Sequence, residues 1–395
     1  MNMKRLTTKA GSLMAAGLLA ATGGGFVASA QAAESERTEP IVTPILDTRL
    51  RYEHVSQDGV PEDANAVTAR VRAGFKTRPY KGFSVLLEAE VVDGLNNSYN
   101  STTNGRTRYP VVADPDNAEL NRAQITYTGI DGLKFVGGRQ RIILDNARFI
   151  GNVGWRQNEQ TFDAALLQLT AVPDLTATYA YLDSVQRIFG NESPNGSFDA
   201  SGSHVVNLAY KGLPGVELGA YGYLLDLDES PALSTQSYGV RAKGSFDVTE
   251  DIPITLSGEY AIQSDYGGNT GDYDLDYYLA SIGTKVGGFD ASVSYESLEG
   301  DGTRGFSTPL ATLHKFQGWA DVFLATPATG IEDLYGRIGY ATGEVGPFKK
   351  IVAAAIYHDF EAETGGGSLG DEVDLLLKGV INKKLSVTAK YADYD

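Results

Sequence analysis

Apolar and polar side chains alternate along much of this chain. In residues 65–78, NAVTARVRAGFKTR, one face is apolar from Val67 to Phe75, and the other face carries Arg70 and Arg72. A repeat of two residues predicts a β-strand, because successive side chains of a strand point to opposite faces of a sheet. The same alternation recurs in residues 237–246, 254–260 and 384–394.

Short and long connections alternate between the predicted strands. The short ones include RPYKG and TGIDG, and the long ones are polar, such as NNSYNSTTNGRTRYPVVADPDN. Short turns at one end and long loops at the other are typical of an outer-membrane barrel. We therefore predict an all-β fold, an up-and-down antiparallel transmembrane β-barrel over residues 33–395. A secreted β-sandwich would need buried strands rather than a charged face, and a β-solenoid would show a fixed repeat.

The alternation predicts seventeen strands. Bacterial single-chain barrels have even numbers of strands. We therefore expect about eighteen strands in the intact protein, with the closing C-terminal strand missing here; a miscount of one strand is the alternative. The strands are predicted to begin near residues 45, 66, 83, 119, 133, 161, 175, 203, 216, 236, 254, 276, 289, 331, 350, 371 and 384.

The N-terminus has the pattern of a secretory signal peptide. Lys4, Arg5 and Lys9 precede the apolar run AGSLMAAGLLAA and the small residues ASAQAA. We predict a signal over residues 1–32, with an uncleaved anchor as the alternative. The expected location is the outer membrane of a Gram-negative bacterium, reached by secretion through the inner membrane. The expected partners are outer-membrane lipid and the barrel assembly machinery, and the expected state is a monomer.

Composition narrows the possible functions. A net charge of −17 argues against a nucleic-acid partner. There is no cysteine, and the four histidines lack metal-ligand spacing, so we predict no metal and no cofactor. GGSLG at residues 366–370 matches the pattern around a nucleophilic serine, but that pattern needs a strand–turn–helix setting. We therefore predict no enzyme. Acidic runs such as DYDLD can hold Ca²⁺, although solvated charge is the plainer explanation.

Arginine is concentrated on the predicted inner face of this acidic chain. Rings of Arg and Lys are characteristic of anion-selecting pores. We therefore expect a lumen that leans positive, with acids such as Asp114 in the outer loops. For Arg70 and Arg72 the alternative is pairing with Glu88 and Glu90. The predicted pore-lining or substrate-binding residues are Arg49, Arg51, Arg70, Arg72, Arg122, Arg139, Arg141, Arg148, Trp155 and Arg156.

The paired glycines at 137–138 are predicted to form a β-bulge that shifts the alternation. After that shift Arg139 and Arg141 would face inward, and Gln140 and Ile142 outward.

The following loop, residues 144–160, is expected to fold into the lumen. It would bring Arg148, Trp155 and Arg156 to a constriction, where the aromatic face can stack on a sugar ring. The alternative is an outward surface loop.

Two stretches resemble the alginate export family of outer-membrane barrels. GRQRIILDNARFIGNVGWRQNEQTFDA resembles its signature region, and LATLHKFQGWADVFLATPATGIEDLYGRIGY (310–340) is similar to its second recurring stretch. The resemblance implies an eighteen-strand barrel that passes anionic uronate polysaccharide through an arginine-lined constriction. The matching positions are Arg139, Arg141, Arg148 and Arg156.

The predicted function is therefore a porin-like channel for passive passage of anionic solutes, of the uronate or alginate-like carbohydrate type or other small anions. A general diffusion porin and an outer-membrane lipid-modifying enzyme are the alternatives.

Overall fold

A computed structural model describes residues 40–249 and 251–395. The predicted signal peptide, residues 1–32, lies outside this range. Within it, no helix combines the length and apolar character needed to cross a membrane. Helical structure in the described part of the chain is limited to two three-residue 3-10 turns, Pro231–Leu233 and Leu313–Lys315.

The described residues form one seventeen-stranded sheet, as the alternation predicted. The strands are β1 Val42–Val55, β2 Ala64–Thr77, β3 Phe83–Gly94, β4 Asn117–Ile130, β5 Leu133–Gln140, β6 Thr161–Leu169, β7 Leu175–Gln186, β8 Ser197–Leu213, β9 Val216–Leu225, β10 Thr235–Thr249, β11 Ile252–Asp265, β12 Asp274–Val286, β13 Phe289–Leu298, β14 Ile331–Ala341, β15 Lys350–Glu361, β16 Ser368–Asn382 and β17 Leu385–Tyr394.

Each strand pairs antiparallel with its neighbours in the chain, from β1 with β2 through to β16 with β17. The up-and-down order is thus confirmed, and the eighteenth strand stays a prediction. The largest departure from the predicted starts is β8, which begins at Ser197 rather than near 203. Residues 197–199 extend the β7–β8 hairpin by pairing with residues 184–186. A register shift separates this extension from the main β7–β8 ladder, in which Leu182 pairs with Ser203.

Apolar side chains cover the outer face of the sheet. In β13, Phe289, Val293 and Tyr295 are 64%, 54% and 38% exposed, whereas Ser294 and Glu296 between and beyond them are buried. An apolar outer face with a polar inner face is the arrangement of a membrane barrel, because lipid replaces the core.

Aromatic pairs lie towards both ends of this apolar belt. The rings of Phe289 and Tyr340 are 4.3 Å apart near the short turns, and those of Tyr260 and Tyr278 are 5.1 Å apart near the long loops. Aromatic girdles of this kind mark the two membrane–water interfaces. The fold is therefore a transmembrane β-barrel.

The inside of the barrel is partly filled by the loop between β5 and β6. Its residues Phe149 and Ile150 are buried in one cluster with Tyr221, Tyr277 and Phe306. The ring of Trp155, from the same loop, contacts Arg51 of β1 and Lys390 of β17. The first and last strands therefore come close together around this loop.

Adjacent residues of β13 provide a test of the lipid-facing assignment. We expect Val293→Arg to reduce the free energy of unfolding by about 2–4 kcal/mol, because it places a guanidinium in lipid near the middle of the belt. The control is Ser292→Arg, one residue away on the water-filled side. It should reduce the free energy of unfolding much less. Denaturant titration of the barrel refolded into lipid vesicles measures both. Equal losses for the two variants would contradict the assignment.

Candidate channel constriction

Residues 141–160, the first inner loop, turn into the barrel and contact its wall. Arg49 of β1 donates from Nε to Gln157 Oε1 at 2.7 Å, and Gln157 Nε2 donates to Thr68 Oγ1 of β2 at 2.9 Å. Arg51 donates to the Trp155 carbonyl oxygen at 3.0 Å. These partners lie on the inward faces of β1 and β2. The loop therefore occupies the interior, as the sequence predicted, and is not an outward surface loop.

Residues 299–330, the second inner loop, meet the first one inside the barrel. Gly151 N donates to the Leu310 carbonyl at 2.9 Å, and Thr312 N donates to the Ala147 carbonyl at 3.0 Å. Gln160 Nε2 also donates to the Leu310 carbonyl, at 2.9 Å. Backbone hydrogen bonds thus join the two loops into one layer across the interior.

Backbone strain is concentrated in this layer. Of the eight non-glycine residues with positive φ in the described part of the chain, five lie in the two inner loops. Left-handed conformations of such residues cost about 1–3 kcal/mol each and persist only where the surroundings enforce them. The layer is therefore held in place by its contacts with the wall rather than by local preference. The five are Asp145, Ala147, Val153, Gln317 and Asp321.

Eight of the predicted arginines have a carboxylate partner within 4.0 Å. Because a buried charge is costly unless it is paired, these pairs account for the burial of guanidinium groups in the interior. The pairs are Arg51 with Glu53 and Asp114, Arg70 with Asp47 and Glu90, Arg72 with Glu90 and Glu159, Arg122 with Glu88, Arg139 with Asp163, Arg141 with Glu159, Arg148 with Glu296, and Arg156 with Glu53 and Asp321.

This pairing corrects the expectation of a positive lumen with its acids outside. Asp114, which was expected in an outer loop, is fully buried and contacts Arg51. The alternative for Arg70 and Arg72, pairing with neighbouring acids, is confirmed for Glu90. Glu88 pairs with Arg122 instead. The acids lie inside because unpaired guanidinium groups at these depths would be poorly solvated.

Glu159 is the central acid of the first inner loop. It is fully buried and accepts two hydrogen bonds from Arg141, at 2.8 and 2.5 Å, and one each from Asn121 and Asn152 at 2.8 Å. Burial by itself would raise the pKa of this carboxyl, but the charges of Arg72 and Arg141 outweigh it and lower the pKa to about 2. Glu159 is therefore ionised at neutral pH and ties the loop to two strands.

Trp155 is packed on several sides by charged and aromatic groups. His314 stacks on its ring at 3.8 Å between centroids, and Arg51 Cζ and Lys390 Nζ lie 4.3 and 4.2 Å from the ring centroid. The expectation of a ring free to stack on a sugar is therefore wrong for this arrangement. Lys390 also lies 3.7 Å from the Trp319 ring centroid, so two indoles hold its ammonium.

His314 connects this group to the second inner loop. Burial lowers the pKa of its imidazole to about 3, so the ring is neutral at pH 7. A neutral ring has one donor and one acceptor nitrogen. Nδ1 donates to Asp321 Oδ1 at 2.7 Å, and Nε2 accepts from Lys390 Nζ at 3.0 Å.

The predicted phase shift at Gly137–Gly138 is wrong. The register of β5 with β4 and β6 runs through both glycines without a shift. Gln140 and Ile142, expected to face outward, are only 2% and 3% exposed. The alternation set by exposed Phe135 and buried Val136 therefore continues to the end of the strand.

Arg139 was expected to line the lumen, but it does not. Its guanidinium lies between β4 and β6, where it donates to both carboxylate oxygens of Asp163 at 2.8 and 2.7 Å and to the Leu120 carbonyl at 3.2 Å. Glycine is required at 138 for another reason: its φ is +107°, and a Cβ there would overlap the Ala123 carbonyl.

Arg148 and Arg156 both belong to the layer but are buried within it. Arg148 is 2% exposed and lies 2.9 Å from Glu296. Arg156 is 7% exposed and lies 2.8 Å from Asp321 of the second inner loop. Both therefore fix the two loops to each other and to the wall.

Arg49 differs from the other predicted arginines. Within the described residues it has no carboxylate inside 4.0 Å, and its guanidinium instead donates to Gln157 Oε1 and to the carbonyls of Gly154 and Arg156. Its positive charge is therefore not matched by a direct ion pair.

A cavity of about 420 Å³ lies where the layer meets β1 and β17. This volume is in the range of small-molecule sites. Its wall combines apolar side chains with charged and aromatic ones, among them Glu53, Trp155, Arg156, Phe189, Trp319 and Lys390.

Several residues of this site were not predicted as constriction residues. Lys390, Glu159, His314, Trp319 and Asp321 were not among the predicted pore-lining or substrate-binding residues. The recurring stretch 310–340 was the available signal for the last three. Only the three-dimensional structure brings them against the first inner loop.

The neighbourhood of Ser368 does not provide an enzymatic setting. Ser368 begins β16 in a strand hairpin, and its Oγ accepts a hydrogen bond from Gly370 N at 3.1 Å. In the described residues no group of three or more histidine, aspartate or glutamate side chains is arranged to hold a metal ion.

Solved bacterial structures share this fold at low sequence identity. Acinetobacter baumannii OccAB3 has a TM-score of 0.65 and 13% identity, covering 89% of this chain and 98% of that one. OccAB2 of the same organism has a TM-score of 0.66 and 16% identity, covering 89% and 97%. Pseudomonas aeruginosa OpdQ has a TM-score of 0.60 and 11% identity, covering 100% and 99%. Likeness at this identity shows the fold.

No family model matches the chain, and no curated protein matches it. The resemblance to the alginate export family is therefore left without support from these comparisons, while the barrel fold it implied is confirmed.

Removal of the Glu159 charge tests the anchoring of the first inner loop. We expect Glu159→Gln to reduce the free energy of unfolding by about 3–5 kcal/mol at pH 7, because it leaves Arg72 and Arg141 short of a buried partner. The control is Glu62→Gln, which removes an exposed partner of Arg108 and should cost at most about 1 kcal/mol. Denaturant titration in vesicles measures both, and similar losses would refute a special role for Glu159.

The difference in unfolding free energy between wild type and Glu159→Gln is also predicted to depend on pH. The pKa of Glu159 is lowered in the folded protein from an ordinary 4.5 to about 2. Its stabilisation is therefore fully present above about pH 4.5 and is lost as the pH falls through about 2. The difference in unfolding free energy between wild type and Glu159→Gln should shrink over this window. A constant difference from pH 7 to pH 2 would contradict the assignment.

Proposed function

We propose that this protein is a porin-like channel in the outer membrane of a Gram-negative bacterium, for passive passage of small anionic solutes. Residues 1–32 would direct its export. The observation that carries the proposal is the layer formed by the two inner loops. It narrows a barrel whose wall is polar inside and apolar outside, and it leaves a cavity suited to a small molecule.

The preference for anions is supported by the unmatched cations at the layer. Lys390 lines the cavity, and within the described residues neither Lys390 nor Arg49 has a carboxylate inside 4.0 Å. An anionic solute entering the cavity would meet the Lys390 ammonium. This ammonium donates a hydrogen bond to neutral His314 Nε2, which competes only weakly with a carboxylate of the solute. Uronate monosaccharides and short oligomers belong to this class of solute.

The geometry favours small solutes over an intact uronate polysaccharide. A polymer would need an opening past both inner loops, and these are joined by backbone hydrogen bonds and by the Arg156–Asp321 ion pair at 2.8 Å. Eight of the arginines expected to contact such a polymer are already paired. Export of alginate itself would therefore require the layer to move aside.

A general diffusion porin without carbohydrate preference is the second candidate. The observation in its favour is the same pairing of arginines, because a charge-balanced constriction discriminates little between solutes of opposite sign.

Reconstitution in a planar bilayer tests the proposal. We expect discrete conductance steps, a reversal potential in a KCl gradient that reports anion preference, and a reduction of current by glucuronate that exceeds the effect of glucose. Absence of conductance would overturn the channel assignment. Conductance with equal permeability to both ions, or with equal effects of the two sugars, would favour the general diffusion porin.

Lys390→Gln tests which residue recognises the anion. We expect roughly tenfold weaker block by glucuronate, since about 1.4 kcal/mol of charge-assisted binding corresponds to a factor of ten. Block by glucose should not change. Lys384→Gln, in the turn before β17, is the matched control and should behave like wild type. Unchanged glucuronate block in Lys390→Gln would show that the cavity is not the recognition site.

A further inference from the structure

Five lysines lie on the inner face of the barrel near its short-turn end. Inward orientation follows from the alternation, because each lies next to an outward apolar residue or, for Lys243, in phase opposite to Val240. Short turns mark the periplasmic end of such barrels. The lysine ring consists of Lys76 of β2, Lys134 of β5, Lys243 of β10, Lys285 of β12 and Lys378 of β16.

The charges of this lysine ring are not neutralised by ion pairs. In residues 40–249 and 251–395, none of the five has a carboxylate within 4.0 Å.

The inner-wall acids at this end are mostly engaged elsewhere. Glu217 lies 3.4 Å from Lys211, and Asp290, which is opposite Lys285 in the ladder, pairs with Arg337. Asp247, near the lower end of β10, is a further acid of this region without a cation within 4.0 Å among the described residues, and the five unpaired lysines outnumber it.

The lysine ring contrasts with the layer formed by the inner loops. In and around the layer, seven of the predicted arginines are matched by carboxylates on the wall or on the loops themselves. At the short-turn end the ring has no such partners; Lys76, Lys243 and Lys285 are exposed, and Lys134 and Lys378 are half-buried. Among the described residues, five lysines without an ion pair therefore lie at one mouth of the barrel, compared with Arg49 and Lys390 at its narrowest part.

We infer that the lysine ring, rather than the arginines of the constriction, sets the anion preference of the channel and makes its conductance asymmetric. This inference rests on the proposed channel function. Fixed charge at one mouth raises the local concentration of the opposite ion there. Because the excess lies at one end only, currents at equal positive and negative voltages differ.

Salt should reveal the origin of the asymmetry. The screening length is about 10 Å at 0.1 M salt and about 3 Å at 1 M. A ring of exposed and half-buried lysines therefore acts across much of the mouth in dilute salt and much less in concentrated salt. Buried ion pairs in the layer are screened far less.

A triple substitution tests the inference. Lys76→Gln with Lys134→Gln and Lys285→Gln should move the reversal potential towards zero and bring the ratio of opposite-voltage currents towards one at 0.1 M KCl. At 1 M KCl the variant and the wild type should agree. The matched control is Lys81→Gln with Lys383→Gln and Lys384→Gln, which removes three lysines from the turns at the same end. Its reversal potential and current ratio should stay like wild type.

Heat-modifiable mobility in gels establishes that every variant has folded. If the triple variant fails to fold, the three single Lys→Gln variants are tested for stepwise shifts of the same sign. Conducting channels whose selectivity and current ratio do not change in the ring variants would overturn the inference while leaving the channel function intact. A wild-type protein that folds but does not conduct would overturn the proposed function itself.

Discussion

The interior of this protein depends on neutralising guanidinium groups that have little access to water. Arg51, Arg72 and Arg156 are all under 8% exposed, and each contacts at least one carboxylate from a different element. Because an isolated buried charge is prohibitively costly, neither the arginines nor their acids can be placed independently. The same ion pairs that solve this problem also join the first inner loop to β1, to β2 and to the second inner loop.

The strained backbone of the inner loops follows from this requirement. Ala147, Val153 and Gln317 adopt left-handed conformations that their own side chains disfavour. Each lies within a few residues of a buried ion pair or of a hydrogen bond between the loops. Contacts between distant parts of the chain therefore override local preference in this layer, whereas the strands obey their local pattern almost throughout.

This difference explains what could be predicted from the sequence. Contact with lipid on one side and water on the other imposes alternation, so strands such as β5 and β13 began where the pattern placed them. Charge partners separated by many residues, such as Arg72 and Glu159, leave no periodic signal. Gly137–Gly138 misled the prediction, because Gly138 serves a close approach to Ala123 rather than a shift in register. The inward course of the first loop was predictable from its arginines, but its meeting with residues 310–321 was not.

The packing around Trp155 has a consequence for how the barrel reaches its final shape. The indole contacts Arg51 on the first strand and Lys390 on the last, and it stacks on His314 of the second inner loop. Because Arg51 and Lys390 belong to the first and the last of the seventeen strands, these three partners come together only when the sheet has curled far enough to bring β1 near β17. Trp155 therefore couples the curling of the sheet to the positions of the two inner loops. In a partly curled sheet its indole would lack these contacts.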